Sequence, residues 1–574
     1  MESSVAFVVL ILLSAAVAVV VYGFNPLTRW RYRKLPGPPP QWLFGNLREV
    51  IKKGNHAAYT DWHRSYGPVF KLFLGQQPVV VVHDPEAARA ILLRSPVRHE
   101  IRGPASLLTG KEAQFNQAGL FSTHNRDLHR SLKSAAWLPV VTSGSLDAVT
   151  GLMNEGVERL CDTLARVNKE GRDINIWRQF GHMTMDVVGT SAFGVDLHTQ
   201  EGGGRRNSAE AEALINAAQT IFGLGGVTSC PYVPPVFLAP FTRPLMRVLA
   251  HCFPDRSLRE VMAARQVLRG TVEDLIRKTR EQEARASAAN GKSDGAASHA
   301  KGAGAHGGSV SNGAAASAGK EAAAETAAAR KRARAIKPGS FLSLLVNARH
   351  VDSGEPLSEL EAAAQAFTFL LAGYETTASA LAFTVYCIAA NPDKCEKLLQ
   401  EVDAVARGGP VGHAELERMP YLEACLKEGL RLYPPGPFAV REATEDMEVR
   451  GHVIPRGAWV HVPMYSIQRD PEVWPEPEAF EPERWIPAGA EKRAPADAAP
   501  HGAWMPFGDG TRSCIGMRFA KQEAHITLAR LFQRFTFELS PGQVPLAIKS
   551  PFTLAPRDGV FVRPVLREHL RTEE

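Results

Sequence analysis

Apolar and polar positions alternate unevenly along this chain, and the unevenness divides it. Val5 to Tyr22 is an eighteen-residue run without charge, rich in Val, Leu, Ile and Ala. Such a run is at the short end of a membrane span. The stretch "GPVFKLFLGQQPVVVVHDPEAARAILL" predicts a strand, a turn at Gly75, a second strand, and a helix starting near Asp84–Pro85. From about 142 to 281 the apolar spacing is helical, with a Pro/Phe-rich break around 231 to 254. Helical spacing returns at 355–405, 414–432 and 517–534, and strand-like pieces fall at 447–454 and 458–463. The pattern predicts a mainly α protein with small β-sheets. Between 286 and 335 the chain is mostly Ala, Gly, Ser, Lys and His, without aromatics. Such a segment cannot build a core, so it reads as a disordered surface insertion. The motifs described below all follow it, so it interrupts one large catalytic domain, 41–566, and does not divide two. Residues 567–574 form a short tail.

Composition narrows the class. At 574 residues the chain can bury a large core, and its net charge of +6 is small for that length and gives no reason to expect nucleic acid. The seven cysteines are scattered, odd in number and without a CxxC pair, which argues against a disulfide framework and for a reducing side. Arg29, Arg31, Arg33 and Lys34 follow the apolar run and are expected to stay cytoplasmic. A cleaved signal peptide fits less well, because Glu2 stands early and the positive cluster is on the wrong flank. Residues 1–28 are thus expected to be a transmembrane anchor, and 29–40, ending in "LPGPPP", a basic and stiff proline-rich linker.

Three stretches carry chemistry. In "FTFLLAGYETTASALAF" Glu375 and Thr376 sit amid apolar residues of a helix, where a carboxylate is costly unless used or paired. Thr376 can turn its hydroxyl onto the preceding turn, and Gly373 leaves room beside the backbone. In "EACLKEGLRLYPPGPFAVRE" Glu428 and Arg431 are three apart on a helix and can pair. Arg441 follows in a predicted strand, and Arg484 lies in the proline-punctuated "DPEVWPEPEAFEPERW". In "FGDGTRSCIG" one thiol, Cys514, sits among glycines just before a helix, whose N-terminus favours a thiolate. A nucleophile would want a base, and His501 and His525 show no evident pairing; zinc would want more ligands at suitable spacing. A single thiolate ligand to haem iron needs neither.

Taken together, these stretches resemble the cytochrome P450 family. "AGYETT" (372–377) resembles its oxygen-activating motif, "EGLR" (428–431) its ExxR pair and "PERW" (482–485) its PERF element. "FGDGTRSCIG" matches its haem loop at Phe507, Gly510, Arg512, Cys514 and Gly516. The resemblance implies the P450 fold, haem b, and Cys514 as metal ligand shielded by Phe507. It implies Arg512 and Arg441 at the haem propionates, and Thr376 with Glu375 handling protons beside a pocket lined by Ala372 and opened by Gly373. One element departs from the family. The third-helix WxxxR positions fall on Leu128 and Leu132, which leaves Lys133 or His129 to take over the propionate.

The resemblance implies a monooxygenase that inserts one oxygen atom from O2 into a lipophilic substrate such as a terpenoid, apocarotenoid, sterol or fatty acid. No nucleotide-binding motif is present, so electrons from NADPH are expected through a separate reductase docking on the thiolate side near Lys521, with cytochrome b5 as a second donor. The alternative is an isomerase or dehydratase of the thromboxane synthase or allene oxide synthase type, which rearranges a lipid peroxide without O2 or reductase; the pair Glu375–Thr376 favours the monooxygenase. Within the family the carboxy half resembles the plant carlactone-oxidase branch and the drug- and steroid-oxidising branch that includes thromboxane synthase. Substrate contacts are expected from 115–121, 215–245, the central helix and 438–440. The expected location is the endoplasmic reticulum membrane, with contact to membrane lipid and a cytosolic catalytic domain; a chloroplast membrane is the alternative.

Overall fold

A computed structural model describes residues 21–93, 97–99, 109–200, 208–224, 230–296, 340–406, 408–487, 495–550 and 552–567, with isolated positions at 13, 14, 17 and 107. Most of the apolar run 5–22, most of the insertion and all but the first residue of the tail lie outside them. Among the described residues no helix is long and apolar enough to cross a membrane. The helix Arg256–Ala296 continues eleven residues past the predicted start of the insertion. The Ala-rich sequence "EARASAAN" has the propensity to carry it that far.

The fold is mainly helical, and its centre is the helix Glu359–Ala390. Ser358 and Glu361 cap each other's backbone at its start, and Asn391–Pro392 ends it. Its sequence is apolar on nearly every face, which suits a helix surrounded by others. It packs most closely on the helix Ile176–Ala192. There Gly373 meets Val188: a Cβ on Gly373 would stand 2.8 Å from the valine Cγ2. The small residue at 373 serves helix contact, and the room expected beside it for a ligand is taken by Val188. The helices Pro420–Leu432 and Met517–Arg534 close the core on the other side.

Among the described residues four small sheets flank the helices, two of them two-stranded ribbons and two larger. The largest has the order 69–74, 77–82, 459–462, 439–443, 97–99. Its one parallel pairing joins 77–82 to 459–462, with Val80 opposite Val460. The three-stranded sheet is antiparallel, with 561–566 between 174–175 and 535–539. The strand-like piece 447–454 is a hairpin, turned at Arg450 and Gly451, both with positive φ. The proline-rich break at 231–254 contains two short helices, Val233–Leu238 and Arg243–Cys252, each with proline in its first turn, where the missing N–H does no harm.

The coil after the strand 459–462 is held by one carboxylate. Glu428, fully buried, accepts two bonds from Arg431 at 2.9 Å each. It also accepts from the Glu481 N–H (3.0 Å), Arg484 Nε (3.2 Å) and Trp485 Nε1 (2.9 Å). Arg431 uses its remaining N–H groups on the carbonyls of Gln468, Pro477 and Ala479. Every donor and acceptor is thus matched, which is the condition for a buried ion pair to be tolerated. Removing one partner strands the other. Arg431→Leu is expected to destabilise the fold by about 3–5 kcal/mol, read as a lower denaturant midpoint at unchanged slope.

Candidate active site

The loop 503–516 hangs from that coil. Gln468 Oε1 accepts the Met505 N–H at 2.9 Å, and Trp504 Nε1 donates to the Lys427 carbonyl. The Cys514 N–H donates to the Phe507 carbonyl at 2.8 Å, which folds the loop back on itself. Gly510 has φ +76°, and a Cβ there would lie 2.3 Å from the Leu92 carbonyl, so the loop presses on the helix Pro85–Leu93 as only glycine allows. Phe507 is half-buried against the main core. Gly516 precedes the helix Met517–Arg534, and no atom would touch a Cβ built on it, so the space beside it is open.

Cys514 is itself open on one side. Burial by the surrounding chain pushes its thiol up, and the Gly516 N–H opposes this only in part. In the protein alone, burial thus works against the thiolate that the helix N-terminus favours. A metal cation at the open face would supply the missing positive charge.

Four cationic or titratable groups gather near the loop. Arg512 donates to the carbonyls of Leu120 (3.3 Å) and Thr123 (3.0 Å), and Lys133 Nζ to that of Thr511 (2.9 Å). Arg441, buried in its strand, reaches only the Val440 carbonyl. His129 is buried beside them. Burial pushes all four down, and neighbouring charge adds to it for three: Arg512 falls to about 10 with Arg441 beside it, and His129 to about 4 under Arg512 and Lys133. Arg441 falls to about 10 through burial alone, and Lys133 falls through burial and then Arg512. Among the described residues no carboxylate pairs with any of them. A half-buried positive cluster with no carboxylate partner among the described residues fits a ligand that brings two carboxylates of its own.

The third helix shows how Lys133 arrives. Leu132 is wholly buried and Leu128 packs on the core, so the two WxxxR positions are apolar structure. The helix Arg126–Leu132 then widens into a π-turn, Lys133–Trp137, whose first residue swings onto the loop.

On the opposite side the central helix exposes Ala372 in its middle, although Leu370 and Tyr374 are buried. The Thr376 hydroxyl donates to the Ala372 carbonyl at 2.6 Å, along this open edge. Glu375 turns elsewhere. It is buried and its Oε1 accepts from Thr553 Oγ1 at 2.8 Å. Burial pushes its carboxyl up to about 7, while Thr553 and then Lys549 pull it down. Thr553 and Lys549 had no signal in the sequence: they lie near the C-terminus in no motif. Lys521 pairs with Glu423 at 2.8 Å and is not a free basic contact.

A second cluster, His63, His83 and Asp470, brings three potential metal donors together. The two rings stack face to face, 3.4 Å apart at 7°, so their nitrogens point side by side and not at a common centre. Asp470 Oδ2 lies 3.4 and 3.5 Å from them, and His83 Nε2 bonds Ser466. The cluster joins the helix Leu47–Tyr66 to the coil and is read as structural.

A thiol open to solvent beside cations that find no carboxylate among the described residues is the arrangement of a haem-thiolate oxidoreductase. The chain belongs to the cytochrome P450 family, whose profile matches residues 35–303 and 310–562. It is 28% identical to cytochrome P450 3A41 of Mus musculus over 568 residues, 97% of this chain and 96% of the relative. It is 27% identical to cytochrome P450 3A1 of Rattus norvegicus over 577 residues, with 98% and 97% covered. To cytochrome P450 3A5 of Homo sapiens it is 27% identical over 568 residues, with 96% and 95% covered. None of these three is a plant carlactone oxidase, so the likeness to that branch rests on sequence motifs alone. The enzyme is a monooxygenase that uses haem b, with electrons from NADPH through a separate reductase.

Because folding raises the Glu375 carboxyl to about 7, the folded state holds its proton more tightly than the unfolded chain does. Its contribution to stability is full below about pH 4.5 and is lost as pH rises through about 7. The loss amounts to roughly 3 kcal/mol. Glu375→Gln is expected to remove this component from a plot of unfolding free energy against pH.

Proposed function

We propose that the chain inserts one oxygen atom from O2 into a lipophilic substrate, of the terpenoid, apocarotenoid, sterol or fatty acid class, at the cytosolic face of the endoplasmic reticulum membrane. The observation that carries the site assignment is the half-buried cation cluster around the Cys514 loop. Cys514 would be the iron ligand, and Arg512, Arg441, Lys133 and His129 would take the two propionates. Gly510 and Gly516 would let the loop and helix start lie close to a flat ring, with Phe507 shielding the sulfur. When bound, thiolate-ligated haem supplies the oxygen activation. Thr376 would hold a proton at the open edge beside Ala372. Glu375, with a carboxyl near neutrality, is suited to resupply it.

Membrane contact is supported by an exposed apolar rim. Val21, Phe24, Leu27 and Trp30 lie on one short segment, and Phe241, Leu245, Val248 and Phe253 on another. Tyr22 and Phe241 join them edge to face at 5.4 Å. Such a rim suits lipid and a lipophilic substrate arriving through it. The division into anchor 1–28, linker 29–40, catalytic domain 41–566 with the insertion 286–335, and tail belongs to the same reading, as does cytochrome b5 as an auxiliary donor.

Reduction under carbon monoxide should give the red-shifted Soret band of thiolate-ligated haem, and Cys514→Ala should abolish it. Failure of the wild type to bind haem would overturn the reading. Lys133→Met and Arg441→Met should each speed haem transfer to apomyoglobin, by about tenfold if each loses one charge-assisted bond. Substrates are found by spectral screening of a lipophilic library. Product that forms equally well without reductase and NADPH would select the peroxide-rearranging alternative.

A further inference from the structure

Glu375 and Thr376 are neighbours in sequence, yet each has a different partner. The Thr376 hydroxyl is bonded to the Ala372 carbonyl and the Glu375 carboxyl to Thr553. Thr553 is almost wholly buried and lies 178 residues away in sequence. It belongs to the turn between two short strands, 548–549 and 555–556. The next residue, Leu554, is fixed by its N–H to the Pro435 carbonyl. Phe552, the residue before Thr553, makes no hydrogen bond among the described residues. It rests on two rings, Phe121 (6.0 Å, 76°) and Phe222 (6.0 Å, 51°). Those rings come from the two segments, 115–121 and 215–245, whose apolar residues suit a lipophilic substrate. Phe121 and Phe552 are each more than a third exposed. The hydrogen bond that holds the acid among the described residues is therefore made by the neighbour of a ring that a substrate would touch.

We propose that Thr553 is a positioning residue that parks the Glu375 carboxyl away from Thr376, and that the Phe121–Phe552–Phe222 ring cluster keeps it parked until an apolar ligand displaces Phe552. Release frees the carboxyl to turn to the Thr376 hydroxyl, so that proton supply follows occupancy of the pocket. The inference rests on the monooxygenase reading. The charged group that bears on Glu375 besides Thr553 is Lys549, whose ammonium also lies over the Trp177 ring at 5.7 Å. Lys549 favours the ionised acid where it stands. The tie to Thr553 separates parked from released.

The test uses the full-length, haem-loaded protein and infrared spectroscopy of the Glu375 carboxyl, identified as the band that Glu375→Gln removes. Thr553→Val should shift that band and raise its pH midpoint by about one unit, a tenfold change for one lost hydrogen bond. Thr553→Ser should keep the wild-type band and midpoint, and Phe552→Ala should behave like Thr553→Val. Without substrate, NADPH delivers two electrons through the reductase, and O2 takes them with two protons and leaves as hydrogen peroxide. That release should rise about threefold in Thr553→Val and Phe552→Ala. An unmoved band in either variant overturns the proposal, as does an equal shift in Thr553→Ser. A shifted band with unchanged peroxide release overturns the coupling to turnover. Loss of the carbon monoxide band from the wild type would instead count against the haem-thiolate reading.

Discussion

Everything on the thiolate side depends on one buried carboxylate. Glu428 gathers five donors from Arg431, Glu481, Arg484 and Trp485. A single acceptor with that many partners fixes a long stretch of chain lacking regular structure. From Arg431 the order passes to Gln468, whose amide donates to the carbonyls of residues 430 and 431 and whose oxygen receives Met505. Met505 starts the turn that places Phe507 under Cys514. The sulfur is thus positioned by backbone bonds that lead back to a helix in the core. Such a thiol can be open on one face and still be held in place.

The opposite side is built differently. The central helix is regular through its full length, and its chemistry comes from where two adjacent side chains turn. Thr376 stays along the open edge, while Glu375 is drawn into the protein by a threonine from the C-terminal turn. Rigidity is concentrated around the sulfur, and the proton-bearing groups are left with single bonds that can be exchanged. A fixed ligand beside an adjustable proton supply suits a site whose metal geometry stays constant while its occupant changes.

Much of this was legible in the sequence because the signals were local. The helix 517–534 appears within the bounds its apolar spacing gives. The Glu428–Arg431 pair and the glycine loop are short-range patterns with few structural outcomes. Other features depend on distant partners. Lys133 reaches the loop through a π-turn, and one extra residue in a helical turn leaves no mark on hydrophobic periodicity. Thr553 meets Glu375 only after the whole domain has closed. Gly373 was read as room for a ligand, but its space is filled by Val188 from a helix nearly two hundred residues earlier. The thiol's surroundings were legible only in part, because a helix N-terminus is easy to see in sequence and the burial that pushes the thiol up is not.

The cation cluster bears on the protein's life in the cell. Arg441, Arg512 and Lys133 repel one another in the chain alone, so the polypeptide is electrostatically incomplete when it leaves the ribosome. A ligand that binds only the folded state raises its stability with the logarithm of its concentration. The folded population, and with it resistance to proteolysis, should therefore follow the haem supply. If that cluster holds haem, enzyme abundance would follow cofactor synthesis, and chains made in excess of haem would be the first to be cleared.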